Sequence, residues 1–313
     1  MAGAMRWAFW ALLGWVALAG AAAGAAAAAA SRSEAAPAAD PAPPPAVVPG
    51  QLSAAQIVEK NVAARGGLEA WRNVRTMVWQ GHITNPGSPQ SEMSFVLQQK
   101  RANKTRFDVR AMNQRSVRVF DGTGGWKIAS TPDGKPKVEP YTQRELQFAR
   151  DSQGIDGPLI DYQAKGNTVA LEGVDEVDGR KAYRLAVTQP SGDRHHVWVD
   201  AQTFLDVKSD RTSYDPAGSP RTIVVSFRDF RTVEGLQIPS LIETGTDSGA
   251  QPARMTLEKI VLNPPLGDRV FAKPNVSGHR GAITVDTRSA AGDGQPLAGS
   301  TSAPRQSPAS TPR

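Results

Sequence analysis

The stretch "GDRHHVWVDAQTFL", residues 192–205, sets two adjacent histidines between two aspartates. It reads either as metal or acid–base chemistry or as a piece of sheet, and the choice decides the fold. Strand side chains alternate between faces, so His195, Val197 and Val199 share one side while Arg194, His196, Trp198 and Asp200 share the other. Two neighbours on opposite faces cannot ligate one metal, and the only other histidines are His82 and His279. The stretch therefore reads as strand, entered through a Gly192-Asp193 turn, with structural histidines.

Working outward, the same period of two recurs. "TMVWQGHI", "EMSFVLQQK", "KTRFDVR", "RSVRVFDG" and "GWKIAS" alternate large apolar with polar residues and are separated by Gly, Pro, Asn or Asp. After a helical interlude the pattern resumes in "NTVALEGV", "KAYRLAVT", "HHVWVD", "LDVKSDRTSY", "RTIVVSFRDF", "LQIPSLIETGT" and "ARMTLEKIVL". These are the marks of antiparallel strands with one buried face. About 11–12 strands cannot lie flat without exposing their edges, so the sheet must curl into a barrel or split. The expected fold is α+β, mostly antiparallel β, with helices covering the concave apolar face of a curled sheet.

Two helix starts are well marked. Ser53 with Gln56 forms a capping box ahead of Ile57, Val58 and Val62, and Gly66-Gly67 stops that helix. Thr142 with Glu145 forms a second box in "TQRELQFAR". "LEAWRNV" and "GPLIDYQ" each read as a further short helical turn.

The ends carry different signals. Residues 1–30 place Arg6 before an apolar run that fades into alanine, the grammar of a secretory signal peptide, with cleavage expected between about Ala21 and Ala30. An uncleaved membrane anchor is the alternative, since the run is long enough to span a bilayer. Residues 31–51 are a Pro/Ala-rich linker, 52–276 the ordered β domain, and 277–313 a tail too poor in large apolar residues to order itself. The chain has no cysteine, which excludes disulfides, thiolate metal sites and an acylated lipobox. Net charge is +6, but basic and acidic residues alternate along the strands, which argues against a nucleic-acid surface.

"FDGTGGWKI" lacks the G-x-x-x-x-G-K pattern and a following helix, so it reads as a hairpin turn. No G-x-S-x-G or H-E-x-x-H occurs, leaving hydrolase chemistry without a motif. Asp175, Glu176 and Asp178 crowd a turn, where solvation is the ordinary reading and a weak calcium site the alternative. The informative residues are apolar ones sharing strand faces: Met93, Phe95 and Leu97; Phe107 and Val109; Val117 and Val119. Tyr183, Leu185 and Val187, then Met255 and Leu257, continue the series. They read either as ordinary core or as the wall of a cavity that two short helices cannot fill.

Four stretches carry a family resemblance: "IVEKNVAARGGLEAWRNVRTMVWQGHI", "QQKRANKTRFDV", "FDGTGGWKI" and "TLEKIVLNPPLGDRVFAKP". In order and spacing they resemble the outer-membrane lipoprotein-sorting family, the periplasmic lipoprotein carrier and its relatives. The resemblance implies an unclosed antiparallel barrel with a helical lid over an apolar cavity. In the carrier a Lys-Arg-Pro turn supplies an arginine that latches the lid; Arg101 matches it, with Ala102 in place of the proline. It further implies a non-catalytic periplasmic protein for the acyl chains of lipids or lipoproteins, in outer-membrane biogenesis. Such a protein would be a monomer without metal or cofactor, working with a donor or acceptor protein of the envelope. An envelope-stress sensor or protein-interaction module of the same fold is the competing reading.

Overall fold

The computed structural model describes residues 52–86, 92–111, 114–130, 135–152, 154–214, 219–246 and 251–274. The expected signal peptide, linker and tail lie outside them.

Helix α1 (Ala54–Ala64) begins at the expected capping box: the Ser53 side chain accepts from the Gln56 backbone N–H, and Gln56 reaches back to the Ser53 N–H. It ends at Gly66, whose φ of 111° suits glycine. A Cβ there would also lie 2.6 Å from the Gly235 carbonyl oxygen. Helix α2 (Leu68–Asn73) follows and buries Trp71.

Two antiparallel meanders come next. The first is β1 (Thr76–Thr84), β2 (Glu92–Lys100), β3 (Lys104–Ala111), β4 (Gln114–Phe120), β5 (Gly125–Ser130) and β6 (Pro136–Pro140). Helix α3 (Gln143–Asp151) and a run of turns through Gly166 then lead to the second: β7 (Thr168–Val177), β8 (Arg180–Thr188), β9 (Arg194–Asp200) and β10 (Asp206–Tyr214). It closes with β11 (Pro220–Val233), β12 (Leu236–Thr246) and β13 (Ala253–Leu262). Pairing of β13 with β1 joins both into one sheet of 13 strands among the described residues, ordered β6-β5-β4-β3-β2-β1-β13-β12-β11-β10-β9-β8-β7. The sheet is an unclosed barrel, with β6 and β7 as its edges, and the α3 segment is the chain's path between those edges.

One strand exceeds the sequence expectation. Strand β6, "PKVEP", starts and ends on proline, which reads as a breaker, yet at a sheet edge a proline withholds no needed ladder donor. "GPLIDYQ" forms turns instead of helix. "FDGTGGWKI" is the β4–β5 hairpin, where an Asp121 carboxylate oxygen accepts from Thr123 N–H (2.8 Å) and Gly124 N–H (2.7 Å). The β1–β13 junction holds a bulge at Gln80/Gly81, and a Cβ on Gly81 would meet the Thr256 carbonyl oxygen at 1.9 Å. Only glycine fits that seam. Among the described residues no helix is long and apolar enough to cross a membrane.

Inside the curl, α1 packs Ile57 and Val58 against Leu185, Val187, Val197 and Val199 of β8 and β9. Outside it, the C-terminal 3-10 turn at Asp268–Phe271 buries Val270 and Phe271 on β4 and β5.

Candidate functional site

Under α3 the interior stays open. A cavity of about 560 Å³ lies between the two meanders. One wall is Trp79, Ile83, Met93, Leu97, Phe107 and Val109; the facing wall is Val225, Phe227, Phe230, Ile238 and Ile242. The reason lies in the helix that covers it. The "QRELQFARD" of α3 buries only Glu145 and Ala149, so it roofs the space without filling it.

Glu145 explains how so polar a helix docks. It completes the expected capping box with Thr142. Its carboxylate also accepts from Lys127 Nζ at 2.9 Å and Arg118 at 3.1 Å, all three groups buried. Burial alone would push the Glu145 carboxyl up, but bonds from Lys127 and the Thr142 N–H and the Arg118 charge hold it below the usual range. Burial likewise pushes Arg118 down and the neighbouring Tyr141 phenol up. The opposite flank of α3 meets β10 through two rings: Arg144 lies 4.4 Å from the Tyr214 ring centre, and Arg211 lies 5.0 Å from that of Phe148.

The far end of the cavity is closed by α2 and the 154–166 turns, and here Arg101 appears. Its Nε donates to the Val74 carbonyl at 2.8 Å. Its Nη2 donates to the Trp71 carbonyl at 2.8 Å and to the Asp156 carboxylate at 2.6 Å. Asp156, 2% exposed, also accepts from Lys165 Nζ at 2.6 Å, and burial pushes that ammonium down. Arg65 donates to the Asp156 carbonyl and pairs with Asp206 at 3.2 Å. Two residues beyond Arg101, Asn103 in the left-handed region (φ 57°) donates to the Ala149 and Arg150 carbonyls at the end of α3. The β2–β3 turn thus gathers α2, α3 and the crossing turns at one point.

The sequence-nominated apolar residues divide. Met93, Leu97, Phe107 and Val109 line the cavity. Phe95, Met255 and Leu257 pack with them in the floor, the Phe95 and Phe107 rings 6.0 Å apart. Leu185 and Val187 are covered by α1, and Tyr183 stacks on Phe204 there. Val117 and Val119 do not face the cavity. Register pairs Phe107 with Arg118, which puts Arg118 on the inner face and both valines on the outer one, against Val270 and Phe271.

The histidines separate as alternation requires. His195 lines the cavity, 3.9 Å from Asp193, while His196 lies outside between Asp210 (2.9 Å) and Glu172 (3.1 Å). Burial pushes the His195 imidazole down and the Asp193 carboxyl up. Asp175 accepts from Arg184 and the Trp198 indole, and Asp178 pairs with Arg228. No group of three metal-ligating side chains occurs among the described residues. The sequence did not single out Asp156, Asn103, Arg144 or Arg211, whose contacts join segments far apart in the chain; the four-residue spacing of Arg144 and Phe148 marks one helix face and could have flagged that pair.

Fold and cavity together define the class: an open antiparallel barrel with an apolar interior pocket under a helical crossing segment. Among solved structures it is similar to a LolA superfamily protein from Nitrosomonas europaea, at 15% identity and a TM-score of 0.48, covering 71% of this chain and 99% of that one. It is also similar to a putative outer membrane lipoprotein-sorting protein domain from Vibrio parahaemolyticus (12%, TM-score 0.47, 69% and 95% covered). A DUF1329 family protein from Desulfovibrio piger is similar too (12%, TM-score 0.47, 70% and 97% covered). These likenesses are of fold. No family model and no curated protein matches the sequence.

Proposed function

We propose that this chain is a non-catalytic, exported binding protein that takes the acyl chains of lipids or lipoproteins into the cavity under α3. The observation that carries this is the apolar cavity of about 560 Å³. Binding sites for small molecules run from about 300 to 1,000 Å³ and are mostly apolar with a few placed polar groups. The driving force is desolvation, about 0.8 kcal/mol for each methylene that leaves water. Arg101 acts as the latch of the crossing segment, because its guanidinium joins α2 carbonyls to the buried Asp156. A donor or acceptor protein of the envelope would then work by stabilising the unlatched form.

The non-catalytic reading rests on the sequence, which carries no G-x-S-x-G or H-E-x-x-H, and on the family resemblance. The export reading rests on residues 1–30 and predicts a periplasmic, cleaved form. Protein expressed with its own N-terminus and purified from the periplasmic fraction should carry acyl lipid, read by mass spectrometry of the organic extract. Folded protein that is lipid-free and takes up no fluorescent fatty-acyl probe would overturn the binding role. N-terminal sequencing that begins at Met1 in the membrane fraction would overturn cleavage.

A further inference from the structure

The capacity of the cavity bears on what it holds. An apolar protein cavity of about 150 Å³ takes one benzene, roughly 25 Å³ for each carbon. On that scale the space of about 560 Å³ takes about 22 carbons. An acyl chain of about 16–18 carbons needs roughly 400–450 Å³, two such chains about 800–900 Å³ and three about 1,200–1,350 Å³. One chain fits, and a second does not. The surroundings leave no slack under a closed roof. Toward β8 and β9, Ile57 and Val58 of α1 and Leu159 of the crossing turns are buried in solid core. At the far end Trp71 of α2 packs with Ile155 and Ile160. Toward β4 and β5 the space ends at Glu145, held by Lys127 and Arg118. A larger ligand must therefore raise α3 and draw Glu145 off those two cations, at the cost of buried charge pairs.

We propose that the ligand sealed under α3 is a single-chain amphiphile, a free fatty acid or a lysophospholipid, and that lipids with two or three acyl chains are taken only with the roof raised. The proposal rests on the acyl-binding reading above and narrows it. A methylene buried in the cavity contributes about fourfold to affinity, whereas one left outside contributes nothing. A second chain therefore either stays in water or enters at the expense of the Glu145 pairs. In both cases chain number, not headgroup, decides which ligand the closed form holds.

The test uses the delipidated full chain and ligands that share one acyl group: palmitate, a monopalmitoyl lysophosphatidylethanolamine, a dipalmitoyl phosphatidylethanolamine and a tripalmitoylated lipopeptide. Native mass spectrometry counts the bound molecules, and displacement of a fluorescent fatty-acyl probe ranks their affinities. Hydrogen exchange reports on α3 and the turns at 154–166. One palmitate or one lysolipid should bind each chain, with α3 as protected as in the free protein. The two- and three-chain lipids should compete about tenfold or more worse, and α3 should exchange faster wherever they bind. The tighter of the two single-chain ligands identifies a free fatty acid or a lysophospholipid as the source. Two palmitates on one chain, or a two-chain lipid competing as well as the lysolipid, overturns the single-chain reading and leaves acyl binding standing. No competition by any of these lipids, with the probe itself unbound, overturns acyl binding.

Discussion

The inner face of the sheet is filled under α1 and open under α3, although the strands in both places carry the same alternation. Leu185 and Val187 meet Ile57 and Val58 and lie in solid core. Leu97 and Phe107 meet a helix that brings down a carboxylate and an alanine, and they border a cavity. The difference belongs to the helices. An amphipathic helix with β-branched residues on its inner face completes a core, whereas a polar helix fixed by one buried ion-pair cluster can only roof one. Packing density in proteins makes such an unfilled interior uncommon, which is why it points to a ligand.

The largest effect should come where the roof is tied to the closed end. Asp156→Ala leaves Arg101 and the buried Lys165 without their shared carboxylate, and stranding buried charge costs about 3–5 kcal/mol. Urea denaturation at neutral pH measures it. A loss below about 1 kcal/mol, the value of an exposed ion pair, would mean that Asp156 is not a buried tie between the roof and the closed end.

The filled and open halves can be set against each other directly. Leu185→Ala should destabilise by about 2–5 kcal/mol, the cost of a cavity in packed core. Leu97→Ala should cost less than half as much, since its side chain already borders open space, but it should change the affinity for an acyl probe. Equal losses in stability would show that the open half packs like the filled one.

How far the sequence showed this contrast follows from which interactions are local. The capping boxes at Ser53 and Thr142, the Asp121 and Asp178 turns and the strand alternation lie within a few residues, and each was legible. The opposite facing of His195 and His196 follows from the same alternation. The inner or outer facing of Val117 and Val119 does not, because it depends on the β3–β4 register, which pairs Phe107 with Arg118. Strand β6 was hidden by its two prolines, whose harmlessness comes from an edge position that only topology supplies. The β1–β13 seam, about 180 residues apart in the chain, and the gathering of Asp156, Asn103 and Arg101 are likewise products of closure.

A smaller effect is expected at the latch. Arg101→Leu removes bonds to the Trp71 and Val74 carbonyls and to Asp156, but the guanidinium is partly exposed and Asp156 keeps Lys165, so the net loss should be about 1.5–3 kcal/mol, that of one charge-assisted bond. The crossing turns should open more readily, so hydrogen exchange at 154–166 should rise and a fluorescent apolar probe should bind more strongly at equal folded fraction. Unchanged exchange and probe binding would remove Arg101 from any role beyond local packing.

The smallest effect concerns the wall of the open half itself. Burial holds the His195 imidazole below its ordinary value, with Asp193 and Asp210 opposing and His196 and Arg211 adding to the shift. The folded-state value therefore lies below the unfolded one of about 6.5, and the native protein binds its proton later. Stability from the neutral ring is complete above that unfolded value and is lost as pH falls through it toward the folded one. Compared with His195→Gln, the parent should lose stability as pH falls below about 7, read as the difference in urea midpoints. Asp193 shifts the other way and feels the His195 charge, so the difference reports the imidazole together with that coupling. Parallel pH profiles would mean that His195 is hydrated in solution, and the side of the cavity that separates the open half from the filled one would then be water-filled at the rim.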